Sequence, residues 1–89
     1  MIGGDAPIFA RAMQLFKRMG SKIAHLGLPC AGQHTKMANQ IAIASTVMGV
    51  CESLSCAQVA SLDVAQVLEV IGTGAASSFQ LNVLGPKMI

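Results

Sequence analysis

Three polar side chains near the start of a long apolar stretch have the types and the spacing for chemistry. Lys36, Asn39 and Gln40 stand at positions i, i+3 and i+4, so on a helix they share one face. An ammonium group can move protons, and the amides can hydrogen-bond an alcohol or carbonyl oxygen. Gly32, four residues before Lys36, leaves room for a ligand or another stretch of backbone, or belongs only to the entering loop. The pattern predicts a binding or catalytic face.

The same residues also have structural interpretations. Most lysines are solvated on a protein surface, and amides inside a helix can be simple spacers. The argument for chemistry at Lys36 is its isolation, because no other Lys or Arg lies between Lys22 and Lys87. The polar opening turn also contains Gln33 and His34. His34 leaves the face of Lys36, and we interpret it as a surface or interface residue.

The number and spacing of the cysteines indicate the redox environment of the protein. Cys30, Cys51 and Cys56 are odd in number and form neither a CxxC pair nor a metal-ligand set with a histidine. Such cysteines are typical of reduced thiols in a cytosolic protein, and no signal peptide is visible. We therefore expect a cytoplasmic protein with no metal, in which Cys51 and Cys56 are small buried residues. A net charge of +2 without a basic cluster argues against nucleic-acid binding.

The composition is unusually apolar for a small domain. Of the 89 residues, 53% are hydrophobic and 11% charged, with a mean hydropathy of +0.59, whereas about a quarter of an ordinary soluble domain is charged. The longest apolar run, Ile41 to Cys51, has eleven residues, fewer than the ~20 that cross a bilayer. We reject a membrane span and expect an obligate oligomer or a piece of a larger protein.

The elements that would position the polar face are mostly helical. The proline-free stretch Cys30–Ala60 predicts one long helix. Behind it, Asp63 is a capping residue for a helix from about Val64 to Ile71. Ser77 and Ser78 then precede another short helix, which runs through Leu84 and is stopped by Gly85-Pro86.

The first 29 residues have a different character. Asp5 is a candidate N-cap for a helix from about Ala6 to Met19, with Gly20 as its stop. Short strands are predicted before this helix, at Met1–Ile2, and after it, at Ser21–Leu26, where His25 is a structural residue. Strand, helix, strand is the repeating unit of an α/β sheet. One such unit is too small to be stable alone, so we expect it to be the end of a larger domain.

GGDAPIFARAMQLFKRMGSKIAHLG followed by AGQHTKMANQ resembles the β-hydroxyacid dehydrogenase family, which includes 3-hydroxyisobutyrate dehydrogenase, tartronate semialdehyde reductase and 2-(hydroxymethyl)glutarate dehydrogenase. The likeness continues through GTGAASSFQLNVLGPKMI. The resemblance implies that Lys36 is the catalytic acid/base beside the nicotinamide, and that Asn39 or Gln40, close to Gly32, holds the substrate. Cys30 stands where the family usually has glycine, which bears on the backbone shape and the clearance for substrate there.

The resemblance also implies a domain plan. Residues 1–29 would be the end of a Rossmann-type nucleotide-binding domain, and residues 30–89 a long interdomain helix and the first helices of an all-α domain. The family's GxGxxG fingerprint is absent from the chain, so we expect NAD or NADP in the parent enzyme and none on the isolated chain. The parent's substrate would be a small 3-hydroxy acid or its semialdehyde. The alternative is a non-enzymatic module that oligomerises through its long helix.

Overall fold

The computed structural model describes residues 1–89, and most of them are helical. Helix α1 spans Ala6–Met19, α2 spans Ala31–Val59 and α3 spans Val64–Ile71. A π-helical turn at Gln80–Leu84 and a 3-10 turn at Gly85–Lys87 follow. The predicted mainly α architecture is therefore confirmed. The chain divides into two compact units, residues 1–41 and 42–89, and α2 contributes to both.

Helix α1 has the predicted bounds, but Asp5 does not cap it through its side chain. Asp5 occupies the N-cap position, and its carboxylate accepts no hydrogen bond from the helix. An N-cap side chain bonds the N–H two or three residues on. Pro7, two residues on, has no N–H, and Asp5 does not bond the N–H of Ile8, three residues on. Gly20 ends the helix in an extended conformation, φ −170°, with its N–H donated to the Phe16 carbonyl.

One side of α1 carries the packing of the first unit. Phe9 stacks on Phe16, with ring centroids 5.8 Å apart, and on His25 at 4.9 Å. Three large apolar residues on its other sides are exposed: Ile8, Leu15 and Met19. The chain covers only the Phe9 side of this helix.

The predicted strands do not form. Residues 1–2 and 24–26 pair as a single isolated parallel bridge between Ile2 and His25, in which Ile2 N–H donates to the Ala24 carbonyl and Leu26 N–H to the Ile2 carbonyl. A single bridge of this kind is not a strand, which needs several consecutive pairs. The two segments thus pair in parallel on either side of α1 through one bridge and not as strands, and the assignment of residues 1–29 to the β-α-β end of a nucleotide-binding domain stays a prediction.

Helix α2 matches the predicted long helix to within one residue at each end. Its 29 residues give a length of ~43 Å at 1.5 Å per residue. By length and composition alone α2 could cross a membrane, a test that core helices of soluble proteins also pass. Its buried side chains, Val50, Leu54 and Ala57, stand at i, i+4 and i+7 in its second half, so only one stripe there is covered.

The second unit has a small apolar core. Val50 and Leu54 from α2 meet Leu68 from α3 and Leu81 from the π-helical turn, and Val64 and Ile71 pack against this cluster. Leu81 is the most buried of them, at 2% exposure.

The cysteines lie outside this core. Cys30, Cys51 and Cys56 are all exposed, so the prediction that Cys51 and Cys56 are buried is wrong. Cys51 Sγ lies 4.0 Å from Met88 Sδ, but this single contact does not bury the thiol.

Two side chains cap the short helices of the second unit. Asp63 accepts hydrogen bonds from the N–H groups of Ala65 and Gln66, as its position predicted. Ser78 Oγ accepts from Leu81 N–H at 3.0 Å, so Ser78 is a true cap for the short helix ending at Leu84. That helix is π-helical instead of α-helical, since Gly85 N–H donates to the Gln80 carbonyl, five residues back. Pro86 has no N–H with which to continue an α-helical ladder.

Candidate functional site

Lys36 lies on the wall of an open cleft within the first unit. The cleft has a volume of about 370 Å³ and is lined by Met1, Ile2, Gly3, Gly32, Gln33 and Lys36. One wall is the backbone before α1, and the other is the first two turns of α2. Two sequence-predicted site residues, Lys36 and Gly32, are thus brought together.

Two glycines determine how closely those walls approach. A β-carbon on Gly32 would lie 3.1 Å from the Gly3 nitrogen and 3.1 Å from the Met1 oxygen. A β-carbon on Gly3 would lie 2.7 Å from the Leu28 oxygen and 2.8 Å from the Gly32 nitrogen. Since real β-carbons almost never come within 3.0 Å of other heavy atoms, Gly3 lets the first turn of α2 reach this position. The sequence left open whether Gly32 makes room for a ligand, makes room for another stretch of backbone or belongs only to the entering loop. In the structure, the backbone of residues 1–3 lies against Gly32.

The amides predicted to hold substrate lie outside the cleft lining. Asn39 is half-buried and Gln40 exposed, and Asn39 Nδ2 donates to Gln40 Oε1 at 3.4 Å. They stand about one turn beyond Lys36 on α2. Gln33 lines the cleft beside Lys36. The sequence placed Gln33 in the polar turn without assigning it to the site, and its i−3 spacing from Lys36 was the available signal.

The cleft does not enclose the side chain of Lys36. The side chain is exposed, so the 89 residues place the amine at a cleft edge and do not desolvate it. His34 is exposed as predicted. His25 is structural: its Nε2 donates to the Gly4 carbonyl at 2.6 Å, and its ring stacks on Phe9.

Cys30 begins α2 with an unusual backbone conformation. Its φ is 74°, in the left-handed region that residues with a β-carbon rarely occupy. Its carbonyl accepts from His34 N–H at 3.0 Å, and Ala31 N–H donates to the Leu28 carbonyl at 3.1 Å. The chain thus makes here a turn suited to glycine, the residue usual at this position in the family that the sequence resembles.

The donor set of the cleft fits a small acid better than a dinucleotide. An ammonium and an amide can bind carboxylate and hydroxyl oxygens. A pyrophosphate requires open glycine backbone at a helix N-terminus, and the space beside Gly3 is filled by the backbone of residues 28–32. The cleft therefore offers donors suited to the oxygens of a small acid and no open glycine backbone suited to the pyrophosphate of NAD(P).

Comparison with known proteins identifies the class to which this arrangement belongs. Residues 30–89 match the protein family described as NAD-binding of NADP-dependent 3-hydroxyisobutyrate dehydrogenase. The chain is 45% identical over 89 residues to the uncharacterized oxidoreductase YkwC of Bacillus subtilis, covering 100% of the chain and 31% of that protein. It is 44% identical over 87 residues to the probable 3-hydroxyisobutyrate dehydrogenase-like 1 of Arabidopsis thaliana, covering 98% of the chain and 26% of that protein.

The same similarity extends to a named reductase. The chain is 39% identical over 89 residues to the 2-hydroxy-3-oxopropionate reductase of Escherichia coli, covering 100% of the chain and 30% of that protein. The chain spans less than a third of the length of these curated relatives. It belongs to the 3-hydroxyisobutyrate dehydrogenase family, whose NAD-binding description covers its residues 30–89.

Proposed function

We propose that this chain is the proton-transfer segment of an NAD(P)-dependent 3-hydroxyacid dehydrogenase. The observation that supports this is the position of Lys36 on the cleft wall, one turn after Gly32, in a chain that belongs to this family. The whole protein would interconvert a small 3-hydroxy acid and its semialdehyde. The relatives' names indicate hydroxy acids of this size.

Lys36 would act at the substrate hydroxyl. In oxidation its Nζ takes the hydroxyl proton while the carbinol hydrogen leaves as hydride, and in reduction it returns that proton to the forming alcohol. NAD(P), when bound, supplies the acceptor or donor of the hydride. Asn39 or Gln40 would hold the substrate through its oxygens, after giving up their long mutual hydrogen bond.

The division of the chain follows from the same proposal. Residues 1–29 would complete the nucleotide-binding domain of the whole protein, and residues 30–89 would begin its helical substrate domain. Because the GxGxxG fingerprint that would hold the pyrophosphate is absent from these 89 residues, the isolated chain would bind neither NAD nor NADP measurably. The whole protein would form a homo-oligomer.

Lysine variants of the whole protein test the proposal. With a 3-hydroxy acid and NAD or NADP, Lys36→Ala should lower kcat at least 100-fold, because a positioned acid/base contributes about 10²–10⁴-fold to rate. Lys36→Arg should fail almost as badly, because a guanidinium keeps its proton at working pH. Lys17→Ala removes a matched exposed lysine from α1 and should leave kcat unchanged. Cofactor-dependent absorbance at 340 nm provides the rate.

Two results would contradict this assignment in different ways. Wild-type kcat in Lys36→Arg would make the lysine an electrostatic anchor and remove its proton-transfer role. A whole protein without NAD(P)-linked activity on any small 3-hydroxy acid would favour the other candidate, a helical module that oligomerises through α2. The low charge content of the chain favours that candidate over other non-enzymatic functions.

A further inference from the structure

The cleft wall opposite α2 is a short run of flexible backbone. Residues 1–3 line it, and Gly3 is followed by a second glycine, Gly4. Glycine has the widest conformational freedom of any residue, so the local sequence does not by itself fix this wall. Two hydrogen bonds hold Gly4: its N–H donates to the Gly27 carbonyl at 2.9 Å, and its carbonyl accepts from His25 Nε2 at 2.6 Å. His25 thus supplies a side-chain contact that fixes the wall.

The side chain and the backbone of His25 are themselves held in place. Its ring stacks on Phe9 of α1, with centroids 4.9 Å apart and an interplanar angle of 25°, and the residue is half-buried. Its backbone forms the parallel bridge with Ile2. A carbonyl oxygen can only accept, so Nε2 carries the hydrogen in the bond to Gly4. The ring contact and the bridge therefore fix the position of this donor.

The wall that His25 holds is in direct contact with the first turn of α2. A β-carbon on Gly3 would lie 2.8 Å from the Gly32 nitrogen, so backbone meets backbone there with no side chain between. Groups packed this closely have little free volume and transmit displacement to one another. Lys36 follows Gly32 by four residues on α2, about one helical turn. A movement of Gly3 therefore changes where the amine of Lys36 lies relative to the cleft wall.

We propose that His25 is a positioning residue for Lys36. Its hydrogen bond to Gly4 fixes the cleft wall, and the wall fixes the start of α2 and with it the amine that moves the substrate proton. The inference rests on the proposed function and extends it to a side chain that does not line the cleft. Its effect is expected in the rate, because a displacement of about 1 Å can slow a reaction about 100-fold.

Three variants of the whole protein separate the hydrogen bond from the ring. The substrate is whichever of 3-hydroxyisobutyrate, 3-hydroxypropionate and L-serine the wild type oxidises fastest with NAD or NADP. His25→Phe keeps a ring beside Phe9 and removes the donor, so it should lower kcat about 10- to 100-fold and leave the KM for the cofactor within about twofold. His25→Gln loses the ring but keeps an amide donor at the reach of Nε2, and its kcat should stay within about fivefold of the wild type. His25→Asn carries the same amide on a side chain one methylene shorter, which does not reach Gly4, and should lose as much as His25→Phe.

A double variant tests whether the effect passes through Lys36. In a Lys36→Ala background the acid/base is already absent, so His25→Phe should lower kcat further by no more than about twofold. A purely structural role would cost the same factor in both backgrounds. His34→Phe makes the matched change at an exposed position of α2 and should leave kcat unchanged. If His25→Phe does not fold, the two amide variants, with and without Lys36→Ala, provide the same comparison.

The outcomes distinguish this inference from the proposed function. Where Lys36→Ala abolishes activity, wild-type kcat in the folded variants that lack the donor would overturn the role of His25 alone. An equal loss with and without Lys36, or a His25→Gln variant no better than His25→Asn, would do the same. Full activity in Lys36→Ala, or a wild type that oxidises none of the acids, would overturn the proposed function and this inference together.

Discussion

Cys30 has a β-carbon, but its backbone adopts a left-handed conformation that favours glycine. The turn into α2 requires φ near 74°, where an L-residue costs about 1–2 kcal/mol relative to the right-handed conformation. Glycine pays no such cost, but it gains freedom in the unfolded chain, which returns about 0.5–1 kcal/mol. The thiol is exposed and gains little from packing. The backbone hydrogen bonds on either side of Cys30, from Ala31 N–H to the Leu28 carbonyl and from His34 N–H to the Cys30 carbonyl, hold the turn in this conformation.

We expect Cys30→Gly to raise the free energy of unfolding by about 0.5–1 kcal/mol, because relief of the left-handed strain exceeds the added entropy of the unfolded chain. Cys30→Ala keeps a β-carbon and removes the thiol, so it should be close to neutral. Urea unfolding followed by circular dichroism measures both. Equal stabilisation by Gly and Ala would show that the thiol, and not φ, is the source of strain.

At the scale of the element, two aspartates occupy N-cap positions, and only one of them hydrogen-bonds its helix through the side chain. Asp63 starts α3 and accepts from two backbone N–H groups, at 3.0 and 3.2 Å. Asp5 starts α1 and accepts from none. In α1 the donor two residues on is missing, because Pro7 has no N–H, and the remaining donor, the N–H of Ile8, is not bonded by Asp5 either. The two residues form a natural comparison of a cap with and without its hydrogen bonds.

We expect Asp63→Ala to lower the free energy of unfolding by about 1 kcal/mol, the usual cost of losing an N-cap. Asp5→Ala should cost less, because only the attraction between a carboxylate and the helix N-terminus is lost. Thermal unfolding of the two variants side by side provides the measurement. An equal loss in both would mean that charge, not hydrogen bonding, gives Asp63 its effect.

Helix α2 also joins two kinds of packing in one element. Its first turn meets the backbone of residues 1–3 through Gly32, and its second half buries Val50 and Leu54 against α3 and the final turns. Each end is thus held by different neighbours. The position of Lys36 depends on the first contact and not on the apolar core.

At the scale of the whole molecule, the chain covers few of its own apolar side chains. Five hydrophobic residues are buried, whereas sixteen large ones are exposed. Ile41 and Met48, seven residues apart on one face of α2, are 67% and 63% exposed. Uncovered apolar surface of this kind usually marks an interface or leads to aggregation.

We expect the isolated chain to self-associate at micromolar concentration, through contacts that include this face of α2. Light scattering should report a mass above 9.2 kDa. Changing Ile41 and Met48 together to Lys should shift the population towards monomer, because two charges would then have to be desolvated. Gln14→Lys adds a charge at an exposed position of α1 and should have little effect. A stable, soluble monomer of the unmodified chain would contradict the prediction.

The sequence determined the elements of this protein closely. The bounds of α1 and α3 follow from their flanking residues, and α2 agrees with the proline-free stretch to within one residue at each end. The cap at Asp63 follows in the same way. These features are local, because helix propensity and capping involve residues within one or two turns of each other. The family also followed from sequence, since the motif around Lys36 is contiguous.

Only the tertiary structure decided which surfaces meet. The sequence predicted two strands and buried cysteines, and the structure has one parallel bridge and exposed thiols. It grouped Lys36 with Gly32, Asn39 and Gln40, and the structure brings Lys36, Gly32 and Gln33 to the lining of one cleft. The roles of Asn39 and Gln40 stay predictions. Burial and cleft formation depend on which distant segment covers a residue, here residues 1–3 over the start of α2. Helical periodicity specifies the faces of a helix but not the partner that each face meets.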